Sequence, residues 1–289
     1  MKFPRFGYVS PQTTSEAIDA LGSDEEARPI AGGQSLLPLM AFRLSYPTVL
    51  VDLASVDGLR GVWTENGHVR IAAMTTQAEA ERSEAVRRAA PVLSAAISHV
   101  AHPVIRNAGT VGGSVAHADP AAEIPLALAA VDGVVNIEGP GGARSVPARE
   151  FFLEVFTTAL QPGEIVVSVD VPTDGRSWVF TEFSRRPGDF ALAMAAVGLS
   201  MDGDRCNAAT IALGAVDSRP IVSSSAGGVL AGSVIDDTIA EEAARAATEG
   251  LSPPGDIHGS SEYRKHLATV LVRRAITKAA SQTNGAVAS

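Results

Sequence analysis

Two glycine pairs constrain this chain more than any other feature of its sequence. Gly32-Gly33 and Gly112-Gly113 stand 80 positions apart, and hydroxyl side chains flank both: Ser35 the first pair, Thr110 and Ser114 the second. Glycine lets the backbone turn tightly and lets a ligand approach the main chain. Backbone N–H groups exposed at such turns form an anion-binding concavity, and hydroxyl groups add hydrogen bonds without adding charge. The two turns together predict a site for a pyrophosphate group.

Neither glycine pair belongs to a familiar nucleotide-binding motif. No Gly-Lys-Ser/Thr follows either pair, which excludes a Walker A loop, and neither turn has the GxGxxG pattern of the dinucleotide fingerprint. One Gly-Gly turn alone is a weak signal, because most such dipeptides only turn the chain. The pairing of two such turns carries the prediction, and it requires a different nucleotide-binding fold.

The composition limits which cofactors and partners are possible. The chain has 289 residues, 46% of them hydrophobic, enough for one large or two to three smaller folding units. Cys206 is the sole cysteine, so the chain alone cannot hold an iron–sulfur cluster, form an internal disulfide or supply a cysteine-rich zinc site. The net charge of −9 disfavours nucleic acid as a partner.

The hydropathy of the chain gives an expectation about its location. The first residues, MKFPRFGYVSPQTTSEAIDAL, lack the basic segment and apolar run of a signal peptide. No stretch of the sequence approaches the roughly 20 apolar residues that span a bilayer. We therefore expect a cytoplasmic protein without an integral membrane segment.

Hydrophobic periodicity predicts mixed helices and strands before position 172. Helices are predicted at 13–21, 76–86, 91–102 and 123–130, strands at 28–30, 47–53, 68–73, 133–137 and 164–171, and glycine-rich turns at 31–35 and 109–114.

A cluster of loop-forming residues, Pro172-Thr173-Asp174-Gly175, predicts a domain boundary. Beyond it, apolar runs at 177–183, 190–201 and 207–216 predict a small antiparallel sheet. Helices are predicted at 238–248 and 262–278, and a frayed tail at 281–289.

Several histidine and arginine residues are candidate functional groups. His99 and His102 lie three positions apart near a predicted helix end, and His117 follows the second glycine pair. Without a further ligand motif or an HExxH pattern, packing or a hydrogen bond to a cofactor is preferred over metal binding. Arg106 is expected to order its loop, and Arg185-Arg186 either face a partner subunit or are solvated charges. We predict no metal site and no catalytic acid, base or nucleophile.

Five ordered segments of the chain resemble the FAD-binding medium subunits of molybdenum hydroxylases, a family that includes carbon monoxide dehydrogenase. The segments are AGGQSLLPLMAFRL (31–44), HPVIRNAGTVGGSVAHADPAAEIP (102–125), FTEFSRRPGDFALA (180–193), GAVDSRP (214–220) and EYRKHLATVLVRRA (262–275). The resemblance implies an α+β fold with a vanillyl-alcohol-oxidase-like (PCMH-type) FAD-binding domain at 1–175, made of two α/β lobes at about 1–55 and 56–175. A C-terminal domain with a small antiparallel sheet and helices is implied at 176–289.

The resemblance also implies which residues bind FAD. In the family, loops of the form AGG(H/Q)S and T(V/I)GG(N/S) hold the pyrophosphate, and they match 31–35 and 110–114 here. Glu123 matches an acidic position that bonds the ribose or adenine end of FAD, although a plain helix-terminal charge is an equal alternative. The cofactor-binding residues expected on this basis are Ile30, Ala31, Gly32, Gly33, Gln34, Ser35, Leu36, His102, Ile105, Thr110, Gly112, Gly113, Ser114, His117, Glu123, Val166 and Phe190.

Val166 and Phe190 match family positions close to the flavin. Some members carry tyrosine at the position of Phe190, and phenylalanine cannot donate the hydrogen bond that a phenol would. Phe190 can still gate the flavin or stack on it through its apolar face. The alternative for Phe190 is a strand residue in the core.

The function implied is that of an FAD-carrying electron-transfer subunit in a heterotrimeric enzyme. A molybdopterin-binding large subunit oxidises the substrate, and a 2Fe-2S small subunit carries electrons to FAD on this chain, in a dimer of heterotrimers. Carbon monoxide, an aldehyde and an aromatic N-heterocycle stay open as substrates. The acceptor is expected to be a quinone or a dye rather than NAD, since no pyridine-nucleotide motif is present.

Two other functions stay open from the sequence. One is a self-contained flavin oxidoreductase of the same fold, against which the lack of a second large substrate domain and of an acid–base constellation argues. The other is a non-catalytic nucleotide-binding scaffold, in which the glycine pairs are only turns. The retained glycine and hydroxyl pattern argues against the scaffold.

Overall fold

The computed structural model describes residues 3–173 and 175–286. Its strands are β1 (Gly7–Val9), β2 (Arg28–Ile30), β3 (Val49–Asp52), β4 (Val62–Glu65), β5 (His68–Ala72), β6 (Val134–Gly139), β7 (Gly142–Pro147), β8 (Phe152–Glu154), β9 (Thr157–Thr158), β10 (Ile165–Pro172), β11 (Ser177–Ser184), β12 (Ala191–Asp202), β13 (Arg205–Gly214) and β14 (Ile221–Val222). Its helices are α1 (Thr14–Gly22), α2 (Leu36–Ala41), α3 (Gln77–Arg82), α4 (Glu84–Ala89), α5 (Pro91–His99), α6 (Pro103–Ala108), α7 (Val111–His117), α8 (Glu123–Ala130), α9 (Ala148–Phe151), α10 (Ser224–Leu230), α11 (Asp237–Thr248) and α12 (Ser261–Ala286), with one 3-10 turn at Leu53–Ser55.

Three sheets organise the described chain. The first sheet is parallel, in the order β1-β3-β2. The second is antiparallel, in the order β4-β5-β10-β6-β7, and a short β8-β9 hairpin lies apart from it. The third is antiparallel, in the order β11-β12-β13-β14. The mixed α+β architecture expected from the sequence is confirmed.

Helix α1 covers the parallel sheet. The Thr13 hydroxyl caps α1 by accepting a hydrogen bond from the Glu16 N–H, and this helix buries Ala17 and Leu21. These two side chains join Val51 in a small core, which Ile165 of the second sheet completes. Ala27, directly before β2, is buried in the same core, and β2 pairs with β3, so the chain leaves β2 at a defined point and enters the glycine-rich loop.

Strand β12 faces two cores at once. Met194 and Ala196 pack into the core that contains α5 and α8, while Ala193 and Ala195 pack into the core beneath α11 and α12. Successive side chains of a strand point to opposite faces, so this alternation follows from the pleat. Because both faces are buried, β12 reads as an almost continuous apolar run.

Two predicted helices have different ends from those expected. The helix predicted at 76–86 is divided at Ser83, whose hydroxyl caps α4 by accepting from the Val86 N–H at 3.4 Å. The helix predicted at 91–102 ends at His99, because Ala101 adopts a left-handed conformation with φ of 40° and His102 starts the next helix. The α6 helix was not predicted.

The predicted tail at 281–289 is also corrected. Helix α12 continues to Ala286, while residues 287–289 lie outside the described part of the chain. Asp174, in the predicted boundary cluster, also lies outside it. Across the described ranges, no helix combines the length and the apolar character needed to cross a membrane.

Gly198, at the centre of β12, supplies a test of this packing. The indole of Trp178 covers it, and a methyl group at Gly198 would lie 2.7 Å from two ring carbons. We expect Gly198→Ala to lower the free energy of unfolding by about 1–3 kcal/mol, the usual cost of overpacking. The shift of the denaturant midpoint measures this change in the free energy of unfolding.

Gly228 of α10 is the matched control, since a methyl group there meets nothing within 4 Å. Gly228→Ala should leave stability unchanged or raise it by about 0.4–1 kcal/mol, because alanine reduces the entropy of the unfolded chain. A Gly198→Ala chain as stable as Gly228→Ala would contradict the packing described.

Candidate functional site

A cavity of about 540 Å³ lies where the loop after β2 meets α7. This volume is within the range of small-molecule sites, about 300–1,000 Å³. The residues expected at a cofactor site line this cavity with two exceptions, Ile30 and His102. Those that line it are Ala31, Gly32, Gly33, Gln34, Ser35, Leu36, Ile105, Thr110, Gly112, Gly113, Ser114, His117, Glu123, Val166 and Phe190.

The glycines of the first loop are required by its geometry. A Cβ atom on Gly32 would overlap the carbonyl oxygen of Ala108 and would lie 2.8 Å from the Cα of Gly109. Gly33 has a φ of 69°, in the left-handed region that favours glycine. The backbone of the loop therefore contacts the backbone of the segment that precedes α7, at Ala108 and Gly109.

The same loop presents a set of unused backbone donors. No described residue accepts a hydrogen bond from the N–H groups of Gly32, Gly33, Gln34 or Ser35. The Ser35 hydroxyl likewise makes no capping hydrogen bond to α2. Consecutive N–H groups left without a partner at a cavity wall form the type of concavity that binds phosphate oxygens.

The second glycine pair lies in a helix, which corrects the predicted turn at 109–114. Gly112 and Gly113 form the first turn of α7, and Thr110 caps it by accepting a hydrogen bond from the Gly113 N–H at 3.0 Å. A Cβ atom on Gly112 would lie 2.6 Å from the Cα of Ala73, the residue directly after β5. Gly112 therefore allows α7 to begin in contact with the second sheet.

The first N–H groups of α7 already have partners within the chain. Val111 donates to the Thr75 carbonyl at 3.0 Å, and Gly112 donates to the Ala73 carbonyl at 2.9 Å. The two glycine segments therefore contribute differently to the cavity. The first offers free N–H donors, while the second offers the positive end of a short helix and the hydroxyl of Ser114, which also lines the cavity.

Two buried carboxyl groups influence each other here, and one of them, Glu123, lines the cavity. Glu123 begins α8 and is buried, and this burial, together with the nearby Glu182 and Asp119, raises its pKa to about 8. Arg106 acts in the opposite direction on the pKa of Glu123. Burial also raises the pKa of Glu182 to about 7. Glu123 is thus more than an exposed charge at a helix start.

Glu182 belongs to β11 of the third sheet and lies close to the end of α5. Its Oε2 atom is 3.8 Å from Nδ1 of His99, at the end of α5, and forms no hydrogen bond with a described residue. The His99 ring also packs on Phe180, with centroids 5.2 Å apart. Burial lowers the pKa of His99, which favours a neutral imidazole beside this carboxyl group.

Arg106 orders the segment between α5 and α7. Its Nε donates to Glu81 Oε2 at 3.0 Å, and its NH1 group donates to the Val100 carbonyl at 2.9 Å. The partly buried guanidinium thereby joins α6 to α3 and to the end of α5. This agrees with the ordering role expected from the sequence.

Val166 and Phe190 occupy contrasting positions on the cavity. Val166 is buried on β10, beside the irregularity in its pairing with β6. Phe190 is 75% exposed and precedes β12, so the alternative that made it a core residue is wrong. A large exposed aromatic ring at the opening of a cavity can cover a ligand or contact a partner.

The two residues that do not line the cavity lie directly behind its wall. The Ile30 side chain packs beneath the first loop, 3.5 Å from the position that a Cβ atom on Gly33 would take. The His102 ring packs against Gly188, whose Cβ position is 2.8 Å from the His102 Nδ1. Both residues support lining residues.

Other lining residues were not predicted as part of the site. Gln77, at the start of α3, is the one that carries an amide group, and it is buried with an unpaired Oε1 atom. Thr76, the residue before Gln77, caps α3. Only this position next to the cap could have identified Gln77 from the sequence. The other lining residues missed are Arg28, Pro29, Leu39, Leu53, Ala73, Met74, Val100, Ala101, Gly109, Ala116, Asp119, Ala122, Leu160, Glu164, Ile165, Gly188 and Asp189.

No group of three His, Cys, Asp or Glu side chains in the described ranges could hold a metal ion. The histidines considered for metal binding are dispersed, with His99 beside Glu182 and His117 packed on Phe156 at 4.9 Å between ring centroids.

Two protein families match the chain in succession. Residues 4–174 match the FAD binding domain in molybdopterin dehydrogenase, and residues 178–279 match the CO dehydrogenase flavoprotein C-terminal domain. These matches cover most of the sequence.

Individual relatives match over almost their full length. The nicotine 6-hydroxylase medium subunit of Paenarthrobacter nicotinovorans is 42% identical over 283 residues, which is 98% of this chain and 100% of that protein. The carbon monoxide dehydrogenase medium chain of Afipia carboxidovorans is 36% identical, covering 95% of this chain and 96% of that protein. A chain in the crystal structure of quinoline 2-oxidoreductase from Pseudomonas putida 86 is 46% identical, with a TM-score of 0.96, covering 98% of this chain and 100% of that chain.

The chain therefore belongs to the FAD-binding medium subunits of molybdenum hydroxylases. The family, the fold class and FAD as the cofactor, all inferred from the sequence, are confirmed.

The raised pKa of Glu123 predicts a pH dependence of stability. The pKa of Glu123 is 4.5 in its ordinary state and about 8 in the folded chain. As the pH rises between these two values, the unfolded chain therefore loses the proton of Glu123 before the folded chain does. The free energy of unfolding of the FAD-free protein therefore falls over this window. Glu123→Gln removes this titration, so its stability should fall less than that of the wild type between about pH 5 and pH 8.

Denaturant unfolding at constant ionic strength measures this difference. Glu25→Gln, at an exposed position, is the control and should follow the wild-type curve. Equal pH slopes for Glu123→Gln and the wild type would show that the Glu123 carboxyl is not held neutral by burial.

Proposed function

We propose that this chain is the electron-transfer subunit of a heterotrimeric molybdenum hydroxylase. A molybdopterin-binding large subunit would oxidise the substrate, and a 2Fe-2S small subunit would deliver electrons to the FAD carried here. Family membership supports this proposal. The chain also has only one cysteine, Cys206, and so depends on a partner for any iron–sulfur cluster.

The observation that carries the proposal is the row of unpaired N–H groups at Gly32–Ser35 on the cavity wall. A pyrophosphate offers acceptors to such donors, and the contact at Gly32 leaves no side chain in the way. The hydroxyls of Ser35 and Ser114 would add donors without charge. The residues present therefore fit the pyrophosphate of FAD.

The remaining expected site residues would place and shield the cofactor. Bound FAD can accept electrons singly from an iron–sulfur cluster and pass them to a further acceptor. Val166 would form part of the buried wall, and the exposed Phe190 would cover the opening or meet a partner subunit. The buried Glu123 carboxyl, with its raised pKa, can donate a hydrogen bond as well as accept one.

An aromatic N-heterocycle is the proposed substrate class of the complex. The names of two relatives support it, since nicotine and quinoline both contain such a ring. These two proteins are 42% and 46% identical to this chain, whereas the carbon monoxide dehydrogenase medium chain is 36% identical. We retain a quinone or a dye as the proposed acceptor and a dimer of heterotrimers as the proposed assembly.

The domain limits and the location remain predictions. We propose an FAD-binding domain at 1–175, with lobes at about 1–55 and 56–175, and a C-terminal domain at 176–289. The positions of the two family matches support this division. A cytoplasmic location stays a prediction from the sequence.

Purification of the chain with and without the products of its neighbouring genes tests the proposal. We expect a flavin absorption spectrum, release of one FAD per chain, and iron and molybdenum that co-purify with the complex. Turnover of quinoline or nicotine by that complex would test the substrate class. A colourless protein that refuses added FAD and brings no metal-containing partner would contradict the proposed function.

Substitution of Gly32 tests the placement of the pyrophosphate. The Cβ atom of Gly32→Ala would overlap the Ala108 carbonyl oxygen, so the loop must move away from α7. Overpacking of this kind costs about 1–3 kcal/mol. If the free energy of FAD binding is weakened by this amount, the dissociation constant of FAD rises about 5- to 150-fold.

Gly22→Ala is the matched control, because a Cβ atom at Gly22 meets nothing within 4 Å. Titration of FAD-free protein, followed by flavin fluorescence, measures both variants. Equal affinity of Gly32→Ala and Gly22→Ala for FAD would place the pyrophosphate elsewhere.

A further inference from the structure

Four large apolar side chains are exposed together beside the opening of the cavity. Ile257 is 95% exposed, Phe190 75%, Tyr263 42% and Phe183 38%. The rings of Phe183 and Tyr263 meet edge to face, with centroids 6.5 Å apart. We call these four residues the apolar patch. Exposed apolar surface collected in one place is typical of a contact with a partner protein.

The start of β12 connects the members of the apolar patch. Leu192 follows Phe190 by two residues, and its side chain lies 3.9 Å from the position that a Cβ atom on Gly259 would take. The Tyr263 ring lies 3.2 Å from the same position. Gly259 closes the tight turn that holds Ile257. The exposed side chains therefore lie on one continuous surface.

Ile257 stands at the tip of a turn that is held in one conformation. Asp256 and Gly259 exchange two backbone hydrogen bonds across this turn, at 3.0 and 3.4 Å. The Asp256 Oδ1 atom also accepts from the N–H groups of His258 and Gly259. Turn tips favour Asn, Asp and Gly, so the turn itself does not account for a β-branched apolar residue.

A buried guanidinium group fixes this turn to the third sheet. Arg264 is 7% exposed, and it donates to Asp256 Oδ2 at 2.8 Å and to the Leu192 carbonyl at 3.2 Å. Its Nε atom is buried and has no partner among the described residues. Burial of a charge and of an unpaired donor lowers stability. The chain thus holds Ile257 in a defined place at a cost in stability, and a preorganised side chain binds a partner with a smaller loss of entropy.

The place of the apolar patch beside the cavity identifies the partner. Phe190 belongs both to the apolar patch and to the cavity lining. Cys206 is the sole cysteine of the chain, so the iron–sulfur cluster that reduces FAD must come on another subunit. Electrons pass rapidly between two cofactors only over a short separation, so that subunit has to dock at the cavity. A subunit that delivers its electrons to the cluster, and not to FAD, has no such requirement.

We propose that the apolar patch is the docking surface for the 2Fe-2S small subunit, with Ile257 as its anchor. This inference rests on the proposed function of the chain as the FAD subunit of the complex. The Ile257 side chain inserts into an apolar pocket of the small subunit, and the bonds of Arg264 hold it in the position for insertion. Phe190 and the pair of Phe183 and Tyr263 extend the contact from the turn to the cavity opening.

The test is Ile257→Ser in the complex produced from the neighbouring genes. We expect the affinity of the small subunit for the complex to fall at least about 10-fold, as for an anchor residue of an interface. The iron retained on the affinity-tagged chain after serial dilution measures this loss. The FAD content per chain should not change, because Ile257 is exposed and does not line the cavity.

Val234→Ser is the matched control. Val234 is also an exposed β-branched residue, at 44%, and it pairs with Arg205 at the end of the third sheet opposite to Leu192. This variant should retain iron as the wild type does.

A photoreactive amino acid at position 257 identifies the occupant of the apolar patch. Irradiation of the purified complex, followed by mass spectrometry, should give a cross-link to the 2Fe-2S subunit. A cross-link to the large subunit or to a second copy of this chain would overturn the inference, and so would the absence of any cross-link in the intact complex.

The possible results separate this inference from the proposed function. An Ile257→Ser complex that retains iron as tightly as Val234→Ser overturns the inference and leaves the proposed function intact. Loss of FAD together with iron in Ile257→Ser also overturns it, because Ile257 would then act on the cofactor site. A wild-type chain that brings no iron-containing partner overturns the proposed function and this inference with it.

Discussion

The close contact between the backbone at Gly32 and the backbone at Ala108 and Gly109 is the constraint on which the site depends. A side chain at Gly32 would meet the carbonyl oxygen of Ala108, so the contact exists only because the residue is glycine. It places the loop after β2, from the parallel sheet, against the segment that enters α7. The cavity lies along this junction, and unpaired backbone N–H groups form part of its polar wall. An anion can therefore be held by main-chain donors in a chain with a net charge of −9.

The hydrogen bonds of α7 explain why the two glycine segments are not equivalent. The N–H groups of Val111 and Gly112 are used to dock α7 on the chain that follows β5. They fix the helix, and its positive end then acts on the cavity as a dipole. The N–H groups of the loop at 32–35 make no such hydrogen bonds to a described residue, so they are available to a ligand. One segment thus supplies rigidity and the other supplies donors.

The sequence predicts the strands and the residue types of the site better than the local structure of the second glycine segment. Apolar runs of strand length identify β10, β12 and β13. Adjacent glycines disfavour a helix locally, yet α7 forms because carbonyl groups of the segment after β5 and the Thr110 hydroxyl satisfy its first N–H groups. Such partners are distant in sequence and leave no local signal. Gln77 was missed for the same reason, since only the burial of its amide distinguishes it from a surface glutamine.

The C-terminal part of the chain completes the cavity. Gly188, Asp189 and Phe190 line it, and the segment that contains them leads from β11 into β12. Glu182 of β11 also acts on the cavity, because its charge opposes ionisation of Glu123. Strand β12 then joins the core of the FAD-binding part to the core beneath α12 through its two buried faces. The third sheet thus contributes, through the segment that leads into β12, to the structure of the cavity.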